Sequence, residues 1–188
     1  MTPNPKTMKF VADRLLVDDG AIVEYLNIGE AKGSSMLAEK LFSFPFVQAV
    51  FVMNNFITIT KTENIEWDMV STELREFIQR YLMENKVVIE KMPEPVASDT
   101  SHSSAMQVSD PSEYDAEIKH LLDEFVKPAV ESDGGAIDFK SFDQGVVTVS
   151  LRGACSGCPS STVTLKNGIE NLLKTKIPAV KEVVAESL

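Results

Sequence analysis

The feature that most constrains the fold is a stretch of 20 residues, 93–112, whose composition differs from that of the rest of the chain. It contains six serines and three prolines, with no aromatic residue and no helical or strand periodicity. Such a segment cannot bury enough apolar surface to offset the entropy lost on ordering, so we expect a flexible linker. The flanking segments, residues 1–92 and 113–188, are each long enough for a small core. The sequence therefore predicts two small domains on a tether.

The charge balance limits the classes of partner. The chain has 28 acidic and 18 basic side chains, a formal net charge of −10 at pH 7. Binding to nucleic acid or to an anionic membrane surface would need a basic face. No apolar run reaches the length of about 20 residues that spans a bilayer. The first ten residues lack the apolar core of a signal peptide and the Arg/Ser bias of a transit peptide. We therefore predict no nucleic-acid partner, no membrane partner and a cytoplasmic location.

Hydrophobic periodicity in the first segment predicts a small α+β domain. The predicted elements are strands at residues 22–28, 47–53 and 55–61 and helices at residues 36–41 and 67–84. Asn54-Asn55 is typical of a hairpin turn, and Ser34-Ser35 are typical of a helix cap. Nothing in this segment is typical of a catalytic site, because it contains no cysteine, no histidine and no Gly-rich phosphate loop.

The second segment predicts the order α-β-β-α-β, with helices packed against a mixed sheet. Its predicted elements are a helix through residues 118–126, strands at 136–141 and 146–151, a helix from 159 or 160 to 174, and a strand at 180–185. Asp133-Gly134-Gly135 would end the first helix and turn the chain. The fold class is therefore α+β, with two small α/β-sandwich domains joined by a flexible linker.

The distinctive chemistry lies in one loop, at residues 152–160. Cys155 and Cys158 are the only cysteines in the chain, and they form a C-x-x-C motif between a predicted strand and a predicted helix. The positive end of a helix dipole favours thiolate over thiol, so we expect reactive sulfurs here. Gly153 and Gly157 would let backbone N–H groups approach sulfur or an anionic cluster.

Three interpretations of the motif remain open on the residues alone. The two thiols could be structural and buried, or they could cycle through a disulfide as in a thiol–disulfide oxidoreductase. They could also bind metal, because two thiolates from each of two chains give the four that an iron–sulfur cluster or tetrahedral zinc requires. Arg152 could pair with the charge of such a cluster or be an ordinary surface residue. Gly134-Gly135 is most simply a backbone turn.

Motifs on either side of the two cysteines favour one of these three interpretations. Residues 131–135 (ESDGG), 153–161 (GACSGCPSS) and 164–170 (TLKNGIE) closely resemble the NifU C-terminal (Nfu) domain, over about residues 114–185. The first segment resembles the Nfu N-terminal domain. Its matching positions are residues 3–5 (PNP), 8–10 (MKF), 37-38, 41-42, 50-51 and 56–61 (FITITK).

This resemblance implies an iron–sulfur cluster scaffold or carrier, not an enzyme. In such a protein a [4Fe-4S] cluster is shared by two chains, and Cys155 and Cys158 of each chain would be its ligands. The protein would be a homodimer when loaded, would receive or assemble its cluster with upstream assembly machinery, and would pass it to apo iron–sulfur client proteins. The expected domains are residues 1–92 (Nfu N-terminal-like) and 113–188 (NifU C-terminal-like). The alternatives are a thiol–disulfide redox protein and a zinc-bridged dimer.

Overall fold

The computed structural model of the chain describes residue 2 and residues 4–18, 20–92, 114–156 and 159–187. The predicted linker, residues 93–112, lies outside the described residues. We call residues 4–92 the N-terminal lobe and residues 114–187 the C-terminal lobe, since each contains a sheet of its own. No helix in the described ranges combines the length and the apolar character needed to cross a bilayer.

The N-terminal lobe is a four-stranded antiparallel sheet with helices on one side. Its elements are β1 (Thr7–Val11), β2 (Ile22–Tyr25), α1 (Ile28–Ala31), α2 (Met36–Leu41), β3 (Val47–Met53), β4 (Phe56–Lys61) and α3 (Trp67–Glu84). The strand order is β1-β4-β3-β2, and each neighbouring pair is antiparallel. The predicted hairpin joins β3 and β4, where Asn54 has φ 48°, a left-handed conformation that asparagine tolerates well.

The core of this lobe lies between one face of the sheet and the helices. Alternate residues of a strand point to opposite faces, and the inward set includes Val50, Val52, Ile57 and Ile59. These pack in one cluster with residues of α2 and α3 such as Leu74. The opposite face of the sheet is therefore left without helices of its own lobe.

The C-terminal lobe has the predicted order α-β-β-α-β. Its elements are α4 (Asp115–Leu121), a π-helical segment (Leu122–Val126), α5 (Lys127–Ser132), β5 (Gly135–Asp143), β6 (Val146–Gly153), α6 (Pro159–Lys176) and β7 (Glu182–Ser187). The sheet order is β5-β6-β7, with β5 antiparallel and β7 parallel to β6. Helix α6 is the crossover that a parallel pair needs.

The first helix of this lobe is interrupted by a π-helical segment. Pro128 stands at the start of α5, where its ring and its missing N–H disturb the preceding hydrogen-bond ladder. The insertion changes which side chains face the core. Ile118 and Leu122 are buried, whereas Phe125, another apolar residue of the predicted helix 118–126, is 50% exposed.

The two lobes contact each other through their sheets. Phe51, Met53 and Phe56 of the N-terminal lobe form an apolar cluster with Ala136 of β5. These three large side chains are only 2–6% exposed. Buried contact between the lobes is a feature that the prediction of two tethered domains did not include.

Candidate metal centre

The cysteine loop follows β6 and leads into α6, as predicted. Gly153, the last residue of β6, has φ 65°, a conformation that favours glycine because it has no Cβ. The Gly153 carbonyl then accepts hydrogen bonds from the Ser156 N–H at 3.1 Å and from the Ser156 hydroxyl at 2.9 Å. These bonds close a tight turn with Cys155 at its centre. Thr162 of α6 ties the helix to this turn by donating to the Cys155 carbonyl at 3.3 Å.

The Cys155 side chain faces the interior of the C-terminal lobe. It is 6% exposed and belongs to the same apolar cluster as Ile137 and Leu151. Gly135 lies directly beside it, since a Cβ at that position would be 2.9 Å from the Cys155 Sγ. The second glycine of the Gly134-Gly135 pair thus makes room for the sulfur, while Gly134, with φ 85°, makes the predicted turn.

The electrostatic environment of Cys155 is opposite to the one expected from the sequence. Burial, with a smaller contribution from the negative charge of Asp133, raises the pKa of the Cys155 thiol to about 11. The expectation of a favoured thiolate depended on the helix dipole and on backbone N–H groups near the sulfur. In this conformation desolvation is the largest cause of the raised pKa, because burial disfavours the charged thiolate relative to the neutral thiol.

Cys158, the second predicted ligand, lies outside the described residues, so its role stays a prediction. Within the described part of the chain, no group of three or more His, Cys, Asp or Glu side chains is placed to bind a metal ion. The sulfur of Cys155 is therefore the one predicted ligand whose surroundings are known.

Arg152 and Glu24 flank the start of the loop. A terminal nitrogen of Arg152 lies 3.7 Å from an Asp138 carboxylate oxygen, and both side chains are about one-third exposed. Glu24 of β2 accepts a hydrogen bond from the Gly153 N–H at 3.0 Å. Burial raises the pKa of the Glu24 carboxyl, and the Gly153 hydrogen bond and the Arg152 charge partly oppose that rise.

Sequence reasoning missed the contribution of the N-terminal lobe to this site. Asn4, 3% exposed, donates to the carbonyl of Ala154 at 3.3 Å, and the Thr58 hydroxyl donates to the Gly134 carbonyl at 2.7 Å. Thr58 alone does not indicate a contact between the lobes, because polar residues are common on the exposed face of a sheet. Phe51 and Phe56 on the same face do indicate one, because large apolar residues on both faces are typical of a sheet that is covered on both sides.

Two family models match the chain. A NifU-like domain matches residues 118–184, and the N-terminal domain described as scaffold protein Nfu/NifU N terminal matches residues 1–85. "NifU-like protein 4, mitochondrial" of Arabidopsis thaliana is 36% identical over 187 residues, which are 98% of this chain and 64% of that protein. "NFU1 iron-sulfur cluster scaffold homolog, mitochondrial" of Drosophila persimilis is 38% identical over 182 residues, covering 97% of this chain and 62% of that one.

A solved structure is also similar in part. It is the solution NMR structure of a NifU-like protein from Saccharomyces cerevisiae, with 25% identity and a TM-score of 0.44 over 48% of this chain and 80% of that one. The chain spans somewhat less than two thirds of the length of the curated relatives described above.

The names of these relatives correct one prediction. Both relatives are named as mitochondrial proteins, so the predicted cytoplasmic location is wrong. Net charge and core composition could not distinguish the two compartments, because a folded acidic domain has the same balance of charged and apolar residues in either one.

The two matched family models lie in the expected order and together span most of the sequence. The chain belongs to the Nfu-type family of NifU-like proteins.

Proposed function

We propose that this chain is an iron–sulfur cluster scaffold and carrier, not an enzyme. Cys155 and Cys158 of each of two chains hold one [4Fe-4S] cluster between them. The homodimer receives or assembles the cluster with upstream machinery and passes it to apo iron–sulfur client proteins. The cluster is cargo in this scheme, and release requires only that a client's thiolates replace those of the scaffold.

The observation that carries the proposal is the pair of cysteines in the loop between β6 and α6. They are the only cysteines in the chain, and iron–sulfur clusters are held chiefly by cysteine thiolates. One chain supplies two sulfurs, so four require a second copy, and a two-fold axis would present the same loop twice. The relatives from Drosophila that are named iron–sulfur cluster scaffold homologues support the same role.

The buried position of Cys155 fits this donor set under one condition, which is that the loop opens. A thiol with its pKa raised to about 11 is protonated at neutral pH. Metal binding releases that proton, since the thiolate is the ligand. A disulfide cycle would need the same opening of the loop, because an attacking thiol needs exposure and substantial thiolate character near ambient pH.

The proposal is tested by anaerobic reconstitution with iron, sulfide and thiol, followed by size exclusion and metal analysis. We expect a brown dimer with about two irons and two sulfides per chain, as one bridging four-iron cluster requires. Cys155→Ser and Cys158→Ser should each abolish cluster binding while circular dichroism shows an intact fold. Thr72→Ala, on an exposed position of α3, is the control and should load normally.

Two results would overturn the proposal. A serine variant that keeps its full cluster content would remove Cys155 or Cys158 from the ligand set. A colourless dimer that copurifies with about half an equivalent of zinc per chain would indicate a structural zinc site with four cysteine ligands instead.

A further inference from the structure

Strand β1 lies at one edge of the N-terminal sheet, whose order is β1-β4-β3-β2. Hydrogen bonds at its two ends show which residues bond to β4, because the Ala12 N–H donates to the Asn55 carbonyl at 2.7 Å and the Lys61 N–H donates to the Lys6 carbonyl at 2.8 Å. In an antiparallel pair, every second residue exchanges hydrogen bonds with the partner strand, and the main-chain groups of the residues between them point away. The even-numbered residues from 6 to 12 therefore bond to β4. The odd-numbered residues 7, 9 and 11 direct their N–H and C=O groups to the open side of the sheet.

Two of these three outward residues have unpaired main-chain groups. The Thr7 N–H donates to the Asn4 carbonyl at 3.0 Å, and the Thr7 carbonyl accepts from the Thr2 hydroxyl at 2.7 Å. For Lys9 and Val11, the main-chain N–H and C=O groups have no hydrogen-bond partner among the described residues. Free N–H and C=O groups at a sheet edge are a template on which another strand can pair.

A cavity of about 710 Å³ lies beside this edge, between β1 and α3. Five consecutive residues, 10–14, line it, and because side chains alternate in direction along a strand, main-chain atoms form part of that wall. The lining residues of α3 are 75, 78, 79, 82 and 83, which lie on one face of the helix. Ile57 and Ile78 line it as buried residues, whereas Val11 and Met83 are 67% and 77% exposed. We call this cavity, together with the free edge of β1, the edge groove.

The charged residues of the edge groove favour an acidic ligand. Three of its lining residues are charged, namely Asp13, Arg14 and Arg75, so the groove is locally cationic in a chain whose net charge is −10. Arg14 is held in place because its Nη2 donates to the carbonyl of Asn85, directly after α3. A planar guanidinium that is already positioned loses less side-chain entropy when it binds a carboxylate.

We propose that the edge groove binds an extended, acidic and apolar segment of a partner protein, which pairs with Lys9 and Val11 as an additional strand. Apolar side chains at every second position of that segment fill the cavity against Ile78, and an acidic side chain of the same set meets Arg14 and Arg75. Main-chain pairing supplies the affinity of such a complex, and the alternate side chains supply its specificity.

The edge groove is separate from the contact between the two lobes. Phe10 and Ile57, which line the cavity, belong to the side of the sheet that packs on the helices. The C-terminal lobe packs on the opposite side, where Phe51 and Phe56 contact Ala136. Binding of the partner segment therefore does not depend on a cluster, and the proposal goes beyond the proposed function.

Selection from a library of random displayed peptides tests the chemistry of the ligand. The peptides have about nine residues, the length of a long strand, and the bait is the cluster-free full-length chain. We expect the selected peptides to carry β-branched or aromatic residues at every second position, and Asp or Glu at one position of the same set. Selected peptides without a preference for acidic residues would overturn the proposal, as would the absence of any selected peptide.

A charge exchange tests the role of the arginines. Arg75→Glu should weaken binding of a selected peptide about tenfold, a change equivalent to about 1.4 kcal/mol. Replacing the acidic residue of the peptide with lysine should restore binding to this variant and weaken binding to the wild type. Arg80→Glu is the matched control, because Arg80 is exposed on the same helix but does not line the cavity. An equal loss in both variants would indicate a general charge effect and contradict the edge groove.

Val11→Pro tests the strand pairing. Proline has no N–H and is tolerated on an edge strand where that N–H faces solvent, so the fold should be kept, as circular dichroism can verify. We expect peptide binding to weaken about tenfold, whereas Val11→Thr keeps both the N–H and the branched side chain and should bind as the wild type does. In the wild type, bound peptide should slow hydrogen exchange at the Lys9 and Val11 amides. Unchanged exchange at both amides would contradict an added strand.

A second copy of the chain is the competing occupant of the edge. In that case the cluster-free chain would dimerise as its concentration rises in analytical ultracentrifugation, and Val11→Pro would abolish the dimer. This result would overturn the assignment to a partner protein. All these measurements use the cluster-free chain, so a failure to load iron and sulfide would contradict the proposed function and leave the edge groove unaffected.

Discussion

At the scale of single residues, the site depends on a glycine that touches sulfur. Gly135 lies at the first position of β5, where a Cβ would be 2.7 Å from the Arg152 carbonyl oxygen and 2.9 Å from the Cys155 Sγ. The carbonyl oxygen is backbone, and the sulfur belongs to a buried side chain whose own Cβ would be 3.2 Å away. The position therefore requires glycine for space.

Gly135→Ala should destabilise the chain by about 1–3 kcal/mol, the usual cost of overpacking a filled interior. Gly168→Ala is the matched control, because nothing lies within 4 Å of a Cβ built at that position in α6. Alanine in a helix interior is better than glycine by about 0.5–1 kcal/mol, so the control should be neutral or stabilising. Urea unfolding followed by circular dichroism measures both. An unchanged unfolding midpoint for Gly135→Ala would contradict the packing described for Cys155.

The protonation of Cys155 gives a second prediction at this scale. Its pKa is raised from 9.0 to about 11 by burial, so the folded chain binds the thiol proton more tightly than the unfolded chain. This preference stabilises the fold below about pH 9 and is lost as the pH rises towards 11. The ¹³Cβ resonance of Cys155 in a Cys158→Ala variant should titrate near 11 when folded and near 9 in urea. A folded midpoint below 9 would show that the sulfur is not desolvated.

At the scale of elements, the start of α2 shows how a short helix is fixed. Ser35 is fully buried; its hydroxyl oxygen accepts from the Ala38 N–H at 3.2 Å and its hydroxyl group donates to the Val88 carbonyl at 2.7 Å. The cap therefore also joins α2 to the chain after α3.

Ser35→Ala removes both bonds and leaves a buried carbonyl without that donor. The expected loss of unfolding free energy is about 1–2 kcal/mol. Thr72→Ala, on an exposed position of α3, should change stability by less than about 0.5 kcal/mol. Thermal unfolding of the full chain measures both variants, and equal melting temperatures would contradict the role of Ser35 as a cap.

The elements that the sequence predicted best are those whose signals are local. Asn54-Asn55 marked its hairpin and Ser35 its cap, and helix 67–84 matches α3 to the residue. Strand β1 was missed because its burial comes from pairing with β4, a contact far away in the sequence. The predicted strand 22–28 stops at Tyr25, since Asn27 caps a short helix at Ile28. The last strand begins at Glu182 instead of 180.

Only part of the site could be predicted, because only part of it depends on residues that are close together in the sequence. The motif located Cys155 and its loop between a strand and a helix, because that information is contiguous in the chain. Its burial could not be predicted, since it comes from Gly135 across the sheet and from an environment of non-local apolar neighbours. Glu24 and Gly153 are 129 positions apart in the sequence. No local sequence pattern predicts a contact between residues so far apart.

At the scale of the whole molecule, two small lobes pack against each other through their sheets. The N-terminal lobe has a sheet with one face on its helices and the other on the C-terminal lobe. Phe51, Met53 and Phe56 are buried against Ala136 of the C-terminal lobe, which accounts for the apolar residues on both sides of β3 and β4.

The most direct test of the central claim is native mass spectrometry of the anaerobically reconstituted full chain. It reads the number of chains and the iron and sulfide content of the same particle. We predict two chains with one [4Fe-4S] cluster, and single chains without iron when Cys155→Ser is treated in the same way. A cluster carried by a single chain, or a dimer that keeps its cluster in the Cys155→Ser variant, would contradict a cluster shared through the two cysteine loops.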